Sequence, residues 1–294
     1  MTRYLVACPP DQTAGEAIAL GRLLATGADV TLDVCTVSPG TWPFRSKASV
    51  DVEYIAFTEQ RAAAVLERAR KELGDLPAEY TVLHERRSAA ATLLARAEEA
   101  ADELVVLSST RRRPGRISIG STADAIMHRS SVPVAIAPEG YAPPEGAAVD
   151  RVTVGVSGSK GEQDALSFAT RIARERGIPL RVATVLVIDR DAMLPVVGFG
   201  PDMTIWTEWR AELDALHAAV LERLPPDVKG SSVITQGYSW GAALDELQPL
   251  EGELLVIGGS GQDLVRQVFL GTHSGKIVRN AAMPVIVVPT TGEA

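Results

Sequence analysis

The stretch SVPVAIAP, residues 131–138, recurs in altered form as AMPVIVVP, residues 282–289. A second pair precedes it, because DELVVLSS from Asp102 matches GELLVIGG from Gly252. A third pair comes first in each half: YLVACPPDQTAGEAIAL from Tyr4 and VTVGVSGSKGEQDALSF from Val152. The order is the same in both halves, so the chain contains an internal duplication.

The spacing within the two copies supports the duplication. Gly120 lies 13 positions before Pro133, and Gly271 lies 13 positions before Pro284. Between the copies lies the proline- and glycine-rich segment PEGYAPPEGAAVD, residues 138–150, whose composition suits an exposed linker. We therefore predict two domains, residues 1–140 and 149–294.

Each copy alternates short Val-, Ile- and Leu-rich runs with longer segments of helical periodicity. This alternation is typical of a parallel sheet covered by helices on both faces. Right-handed crossovers then give two tandem doubly wound α/β domains, each with a five-stranded parallel sheet. The predicted strands are Tyr4–Cys8, Asp29–Val37, Tyr80–Leu83, Glu103–Leu107 and Val132–Ala137 in the first copy, and Val152–Val156, Leu180–Ile188, Ser232–Thr235, Glu253–Ile257 and Pro284–Val288 in the second.

Composition narrows the classes of function. The chain has 294 residues, of which 46% are hydrophobic and 22% charged, and its net charge is −8, which argues against general binding to nucleic acids or anionic membranes. Its apolar runs are too short for a membrane helix or a signal peptide, so we expect a cytoplasmic protein. The two cysteines, Cys8 and Cys35, lie in apolar runs and are expected to be buried residues rather than a disulfide or redox pair.

The glycine-rich segment GGSGQDLVRQVFLGTHSGK, residues 258–276, follows a predicted strand and leads into a predicted helix that begins at Thr272. In a doubly wound sheet this edge is the usual ligand site, and a helix start favours a phosphate. The segment does not have the spacing of a Walker loop, and GVSGSKG from Gly155 does not have that of a dinucleotide fingerprint. It does fit the pattern G-x2-G-x9-G-[S/T], formed by Gly258, Gly261 and Gly271 with Thr272.

This motif, together with the final strand, resembles the universal stress protein family, and the resemblance covers essentially the whole chain as a tandem pair. The resemblance implies a Rossmann-like, adenine nucleotide alpha hydrolase-like fold in which the glycine loop holds the phosphates and ribose of a nucleotide. The positions that match are Gly258, Ser260, Gly261, Gly271 and Thr272, with the N–H of His273 as an extra donor.

The same resemblance implies that adenine packs near the ends of the first and second strands, which are Val156 and Val187 in the second copy, beside Ile257 at the end of the fourth strand. Nucleotide-binding relatives commonly carry Asp after the first strand, where this chain has Ser157. A neutral hydroxyl is a weaker acceptor than a carboxylate, so this departure weakens recognition of the base or sugar.

The first copy departs further from the motif. Ser108 and Arg111 occupy the first two glycine positions, the loop from Arg111 to Gly120 is one residue short, and the first strand ends in Cys8-Pro9-Pro10. We expect this copy to bind nucleotide poorly or not at all. The arginine-rich run RRRPGR, residues 111–116, is interpreted as a solvated loop, with an acidic partner or a phosphate as the alternative.

Other residue patterns give weaker indications. The four histidines lack the spacing of a metal site, and we assign no metal. Trp206 and Trp209 lie three positions apart on a predicted helix, which favours packing or a subunit interface over base stacking. The segment SGSKGEQD from Ser157 faintly resembles the loop of ATP pyrophosphatases, but without the Asp-Ser that should close such a loop.

Three functions follow as alternatives. The leading one is a stress-response regulatory protein whose second copy binds ATP, or else AMP or ADP, with Mg²⁺ able to accompany the nucleotide, and which acts on an unknown protein partner. The second is a nucleotide-free interaction protein, and the third is an ATP-cleaving enzyme. The last strands would be edge strands, so we expect them to pair the two copies within the chain, and two chains can then form a homodimer.

Overall fold

The computed structural model describes residues 2–10, 14–39, 50–85, 87–158, 162–188, 203–259 and 272–290. The first half contains, in order, β1 (Thr2–Ala7), α1 (Ala14–Ala25), β2 (Val30–Ser38), α2 (Val50–Leu73), β3 (Ala78–His84), α3 (Ala89–Glu99), β4 (Leu104–Ser108), α4 (Ser121–Met127) and β5 (Val134–Ala137). The second half contains β6 (Arg151–Gly155), α5 (Glu162–Arg176), β7 (Leu180–Val187), α6 (Met203–Glu222), β8 (Gly230–Gly237), α7 (Trp240–Asp245), β9 (Glu253–Gly258), α8 (Thr272–Asn280) and β10 (Val285–Val288). All ten predicted strands are present, at bounds that differ from the predicted ones by at most two residues.

The strands form one ten-stranded sheet in the order β3-β2-β1-β4-β5-β10-β9-β6-β7-β8. Every strand pairing inside a half is parallel. Strand order reverses between β1 and β4 in the first half and between β6 and β9 in the second, which is the doubly wound arrangement that the sequence predicts.

The two halves join along their last strands. β5 and β10 pair antiparallel, with Ile136 opposite Val285 and Val134 opposite Val287. This pairing confirms the expectation that the last strands join the copies within one chain. Because it is antiparallel, the carboxyl ends of the strands of the two halves lie at opposite edges of the sheet.

Helices cover both faces of the sheet. Alternate strand residues point to opposite faces, so Tyr4 and Val6 join one core and Leu5 and Ala7 the other. The first core packs under α1, α2, α5 and α6, and the second packs under α3, α4, α7 and α8. On α5 the buried residues include Ala165, Phe168, Ala169 and Ile172, whose spacing of i, i+3, i+4 and i+7 puts them on one face of the helix.

Two sequence expectations are tested by burial and hydropathy. Cys8 and Cys35 are both buried and unbridged, and burial raises the pKa of the Cys8 thiol to about 12. Within the described ranges, no helix combines the length and the apolar character that a membrane crossing requires.

Candidate functional site

The candidate site lies at the carboxyl edge of the second half, where β6 and β9 are neighbours. Val156 follows β6, is 5% exposed, and donates its N–H to the carbonyl oxygen of Ala183 at 2.8 Å. Ile257 near the end of β9 is also buried. These two predicted residues are therefore both apolar and buried at the strand ends, but they belong to the cores on opposite faces of the sheet.

Ser157 and Gly158 turn away from the strand beside a carboxylate that the sequence analysis did not assign. Glu162, the first residue of α5, accepts hydrogen bonds from the Ser157 hydroxyl at 2.6 Å, from the Gly158 N–H at 2.9 Å and from the Ser157 N–H. Gly158 has a φ of +82°, a conformation that favours glycine, and this turn allows the carboxylate to reach back to the strand end. Ser157, at which the family resemblance implies Asp, is thus a hydroxyl bonded to a carboxylate.

Two buried side chains, Thr184 and His217, form a hydrogen-bonded series that ends at the backbone of Val156. The Thr184 hydroxyl donates to the Val156 carbonyl oxygen at 2.6 Å and lies 2.8 Å from Nε2 of His217. Since the hydroxyl has one proton, His217 must donate from Nε2. Burial lowers the pKa of His217, which therefore stays neutral near pH 7. No sequence pattern marks this pair, because His217 is a lone histidine on a predicted helix.

Val187, the last residue of β7, is 37% exposed at the same edge of the sheet. It lies opposite Gly237 at the end of β8, and the N–H of Ile188 donates to the Gly237 carbonyl oxygen at 2.9 Å. Its exposed side chain is available for an apolar contact.

Gly258 ends β9 opposite Val288 of the last strand, and the following Gly259 donates its N–H to the Val288 carbonyl oxygen at 2.8 Å. The carbonyl oxygen of Gly258 accepts a hydrogen bond from the Ser274 hydroxyl at 3.0 Å. This contact ties the first turn of α8 to the end of β9.

The predicted loop residues Ser260, Gly261 and Gly271 lie outside the described residues. α8 begins at Thr272, as predicted, so its unpaired N–H groups face the edge where β9 ends. His273 in this first turn is exposed, and its ring centroid lies 5.7 Å from that of Trp240.

An aromatic and a cationic side chain that no sequence pattern marks lie beside this helix start. Trp240 is the first residue of α7, and Nζ of Lys276 lies 5.9 Å from the centroid of its ring. Within the described ranges no group of three His, Cys, Asp or Glu side chains could hold a metal ion. Trp209, considered above as a packing residue, is 41% exposed on α6, and the side chain of Trp206 lies outside the description.

The equivalent edge of the first half has different chemistry. Cys8 donates its N–H to the Cys35 carbonyl oxygen at 2.8 Å, as Val156 does to Ala183, but Pro9 and Pro10 follow it. The loop after β4 is closed by its own bonds, since the Thr110 hydroxyl donates to the Ser118 carbonyl oxygen at 3.0 Å.

Comparison with known proteins is consistent with this description. The family model described as "Universal stress protein family" matches residues 1–138 and 148–289. The chain belongs to the universal stress protein family. A universal stress protein of Mycobacterium tuberculosis is 37% identical over 284 residues, which cover 93% of this chain and 94% of the relative.

Two solved structures show the same fold. A universal stress protein from Archaeoglobus fulgidus aligns with a TM-score of 0.63 at 18% identity, covering 97% of each chain. A protein from Pseudomonas aeruginosa described as a universal stress protein aligns with a TM-score of 0.59 at 14% identity, covering 98% of this chain and 94% of its own. The tandem arrangement therefore recurs along the full length of other universal stress proteins.

Proposed function

We propose that this universal stress protein is a cytoplasmic regulatory protein whose second half, residues 149–294, binds ATP or the related nucleotides AMP or ADP. The first half, residues 1–140, serves as a scaffold that binds no nucleotide. The observation that carries the proposal is the start of α8 at Thr272, directly after a loop with intact glycine spacing and across the edge from Ser157 and Glu162.

The phosphates are placed at the start of α8. A helix start carries unpaired N–H groups and partial positive charge, and glycines let the backbone approach the ligand closely. We assign this role to the backbone of Gly258, Ser260, Gly261, Gly271 and Thr272, with the N–H of His273 as an additional donor. Exposed Lys276 lies one turn further along the helix and adds a positive charge to this edge.

The base and sugar are placed against β6 and β7. Val156, Val187 and Ile257 supply apolar contact. The turn formed by Ser157 and Gly158 with the Glu162 carboxylate, here called the Ser157 corner, supplies hydrogen-bond acceptors. In our proposal the Glu162 carboxylate replaces the missing Asp, because it can accept from the 6-amino group of adenine or from a ribose hydroxyl while Ser157 holds it in place.

A magnesium ion would be held by the phosphates rather than by the protein. Magnesium prefers carboxylate and phosphate oxygens and retains several waters. No group of three candidate ligands exists among the described residues. The residues of the site therefore fit a nucleotide that brings its own cation, and Glu162 is the described carboxylate nearest to the Ser157 corner.

The proposal is tested by calorimetric titration of the whole chain with ATP, AMP and ADP. We expect saturable binding of one nucleotide per chain near physiological concentrations, abolished by Gly261→Val. Absence of binding by all three nucleotides would overturn the proposal.

A nucleotide-free interaction protein is the second candidate. It is favoured by one observation: the Glu162 carboxylate already accepts three hydrogen bonds from Ser157 and Gly158. An empty chain that also ignores added nucleotide would support it. Prolonged incubation with Mg-ATP separates binding from catalysis, and we expect no accumulation of hydrolysis product.

A regulatory partner and a homodimer belong to the same proposal. β5 and β10 already pair within the chain, so a second chain must dock on another surface. A solution mass measurement decides the point, and a monomeric mass would reject the homodimer while leaving the internal pairing intact.

A further inference from the structure

The arginine-rich loop of the first half, residues 111–116, lies against the second half. This placement follows from the antiparallel pairing of β5 with β10. The loop follows β4 at the carboxyl edge of the first half, which is the amino edge of the second half, and α8 runs toward that edge from the candidate site. The far end of α8 therefore meets this loop.

Arg116 makes the principal contact. Its guanidinium forms a two-point ion pair with the carboxylate of Asp245 at the end of α7, with distances of 2.8 and 2.6 Å. The same guanidinium donates to the carbonyl oxygen of Asn280, the last residue of α8, at 2.7 Å. The expectation of a solvated loop is therefore wrong for Arg116, whose side chain is only 23% exposed, although Arg112 and Arg113 are exposed.

Hydrogen bonds to Glu139, within the first half, fix the conformation of the loop. The backbone N–H groups of Arg112 and Arg113 both donate to Oε2 of Glu139, each at 2.8 Å. The Glu139 backbone also bonds the loop, accepting from the Gly115 N–H and donating to the Arg116 carbonyl oxygen, both at 3.0 Å. Two adjacent N–H groups that share one carboxylate oxygen form a compact anion-binding turn, here filled by the chain itself. Arg116 is thus presented from a fixed loop.

α8 connects this contact to the candidate nucleotide site. It has nine residues, from Thr272 directly after the glycine loop to Asn280. The last carbonyl groups of a helix have no partner within it, and a cation there complements the helix dipole. A short helix moves as a unit, so a contact at Asn280 also restricts the orientation of the first turn, where Ser274 bonds Gly258.

We propose that Arg116 of the first half is a positioning residue for the nucleotide site of the second half, acting through α8. This inference rests on the proposed function. The first half then does more than complete the sheet: it orients the helix whose start holds the phosphates, and nucleotide affinity in the second half depends on a side chain from the first.

The test compares three variants with a matched control. Arg116→Ala removes both the ion pair and the helix contact, Arg116→Lys keeps the charge with fewer donors, and Asp245→Asn weakens the ion pair alone. Arg22→Ala is the control, because Arg22 also donates to a backbone carbonyl, that of Pro143 at 2.9 Å, but from α1 under the opposite face of the sheet.

Two readouts are measured on the full chain. Calorimetry with ATP should show affinity at least about fivefold weaker for Arg116→Ala, the lower end of typical coupling between sites. Arg116→Lys should recover part of the loss, Asp245→Asn should lose less than Arg116→Ala, and Arg22→Ala should stay within about twofold of the original chain. Hydrogen exchange without nucleotide should be fastest at the amides of α8 in Arg116→Ala, less accelerated in Asp245→Asn, and unchanged in Arg22→Ala.

The outcomes separate the two proposals. If the original chain binds none of ATP, AMP and ADP, the proposed function fails, and the exchange measurement still tests whether Arg116 holds α8. If ATP binds equally to the original chain and to Arg116→Ala, or if Arg22→Ala weakens binding as much, the positioning role is wrong. Should Arg116→Ala fail to fold, Asp245→Asn gives the same comparison with a smaller expected loss.

Discussion

Arg116 in the first half and Asp245 in the second form an ion pair in which two guanidinium nitrogens lie 2.8 and 2.6 Å from the two carboxylate oxygens. The residues are 129 positions apart in sequence. They meet because β5 and β10 pair antiparallel, which places the arginine-rich loop beside the ends of α7 and α8. This ion pair is a contact between the two copies in addition to the pairing of β5 with β10 in the sheet.

A double-mutant cycle should measure this pair. We expect Arg116→Ala and Asp245→Ala to show a coupling free energy of about 0.5–1 kcal/mol in urea unfolding, because the side chains are 23% and 50% exposed and solvent screens them. A coupling indistinguishable from zero would show that the pair adds nothing to the stability of the native state.

Repeat-related glutamates at the amino ends of β4 and β9 should differ in their effect on stability. Glu253 has a fully buried side chain that accepts from Arg181 at 2.6 Å and from Arg151 at 2.5 Å. The equivalent Glu103 pairs with Arg171 near the surface at 3.2 Å. We expect Glu253→Ala to lower the free energy of unfolding by about 3–5 kcal/mol, because it leaves two arginines without their buried partner.

Glu103→Ala is the matched control and should cost less than about 1 kcal/mol. Chemical denaturation of both variants decides the comparison. Equal losses would show that the burial of Glu253 is energetically unimportant.

Asp102 should make stability depend on pH. Both of its carboxylate oxygens are buried without a hydrogen-bond partner among the described residues, although Nε of Arg3 lies 3.7 Å from one of them. Burial, reinforced by the charge of Asp33, raises the pKa of Asp102 to about 7 from 3.8. The folded chain therefore retains a proton that the unfolded chain has lost between about pH 4 and pH 7.

The sign of the effect follows from this difference. The contribution of Asp102 to stability is full below pH 4 and is lost as pH rises through 7. We expect the original chain to lose about 1–3 kcal/mol relative to Asp102→Asn between pH 5 and pH 8, measured by urea unfolding at each pH. Parallel pH profiles for the two proteins would contradict the assignment.

Glu162 should determine selectivity for the base. Its carboxylate accepts, so it favours the amino group of adenine and disfavours the carbonyl group of hypoxanthine at the same position. We expect Glu162→Gln to weaken ATP binding about tenfold, in line with hydrogen bonds to charged groups, and to reduce the preference for ATP over ITP.

Ser157→Ala serves as the control for this prediction. It removes one hydroxyl that holds Glu162 but leaves the carboxylate, so ATP should still be preferred over ITP. Calorimetric titrations with both nucleotides give the comparison. An unchanged ATP-to-ITP ratio in Glu162→Gln would show that Glu162 does not contact the 6-position of the base.

The sequence predicts the fold better than it predicts the site. The duplication locates all ten strands, because buried parallel strands read as apolar runs whose order and spacing repeat. The contact of Arg116 with the second half is not predictable in this way, since it depends on how the two halves join through β5 and β10. Glu162 was missed because a glutamate at a helix start is ordinarily interpreted as favourable to the helix dipole.

The pair Thr184 and His217 was missed for a different reason. Neither residue has a spacing that marks it in the sequence, and their hydrogen bond requires β7 and α6 to be packed together. A hydroxyl on a strand and a histidine on a helix acquire a common role only in the folded chain.

The central claim is that one half of the chain binds nucleotide. Native mass spectrometry of gently purified protein, with and without added ATP, tests it most directly. We predict one nucleotide per chain, none in Gly261→Val, and one in Arg111→Val, which places valine at the equivalent position of the first half. A chain that stays empty with ATP, AMP and ADP added in turn, or one that binds two nucleotides, would contradict this prediction.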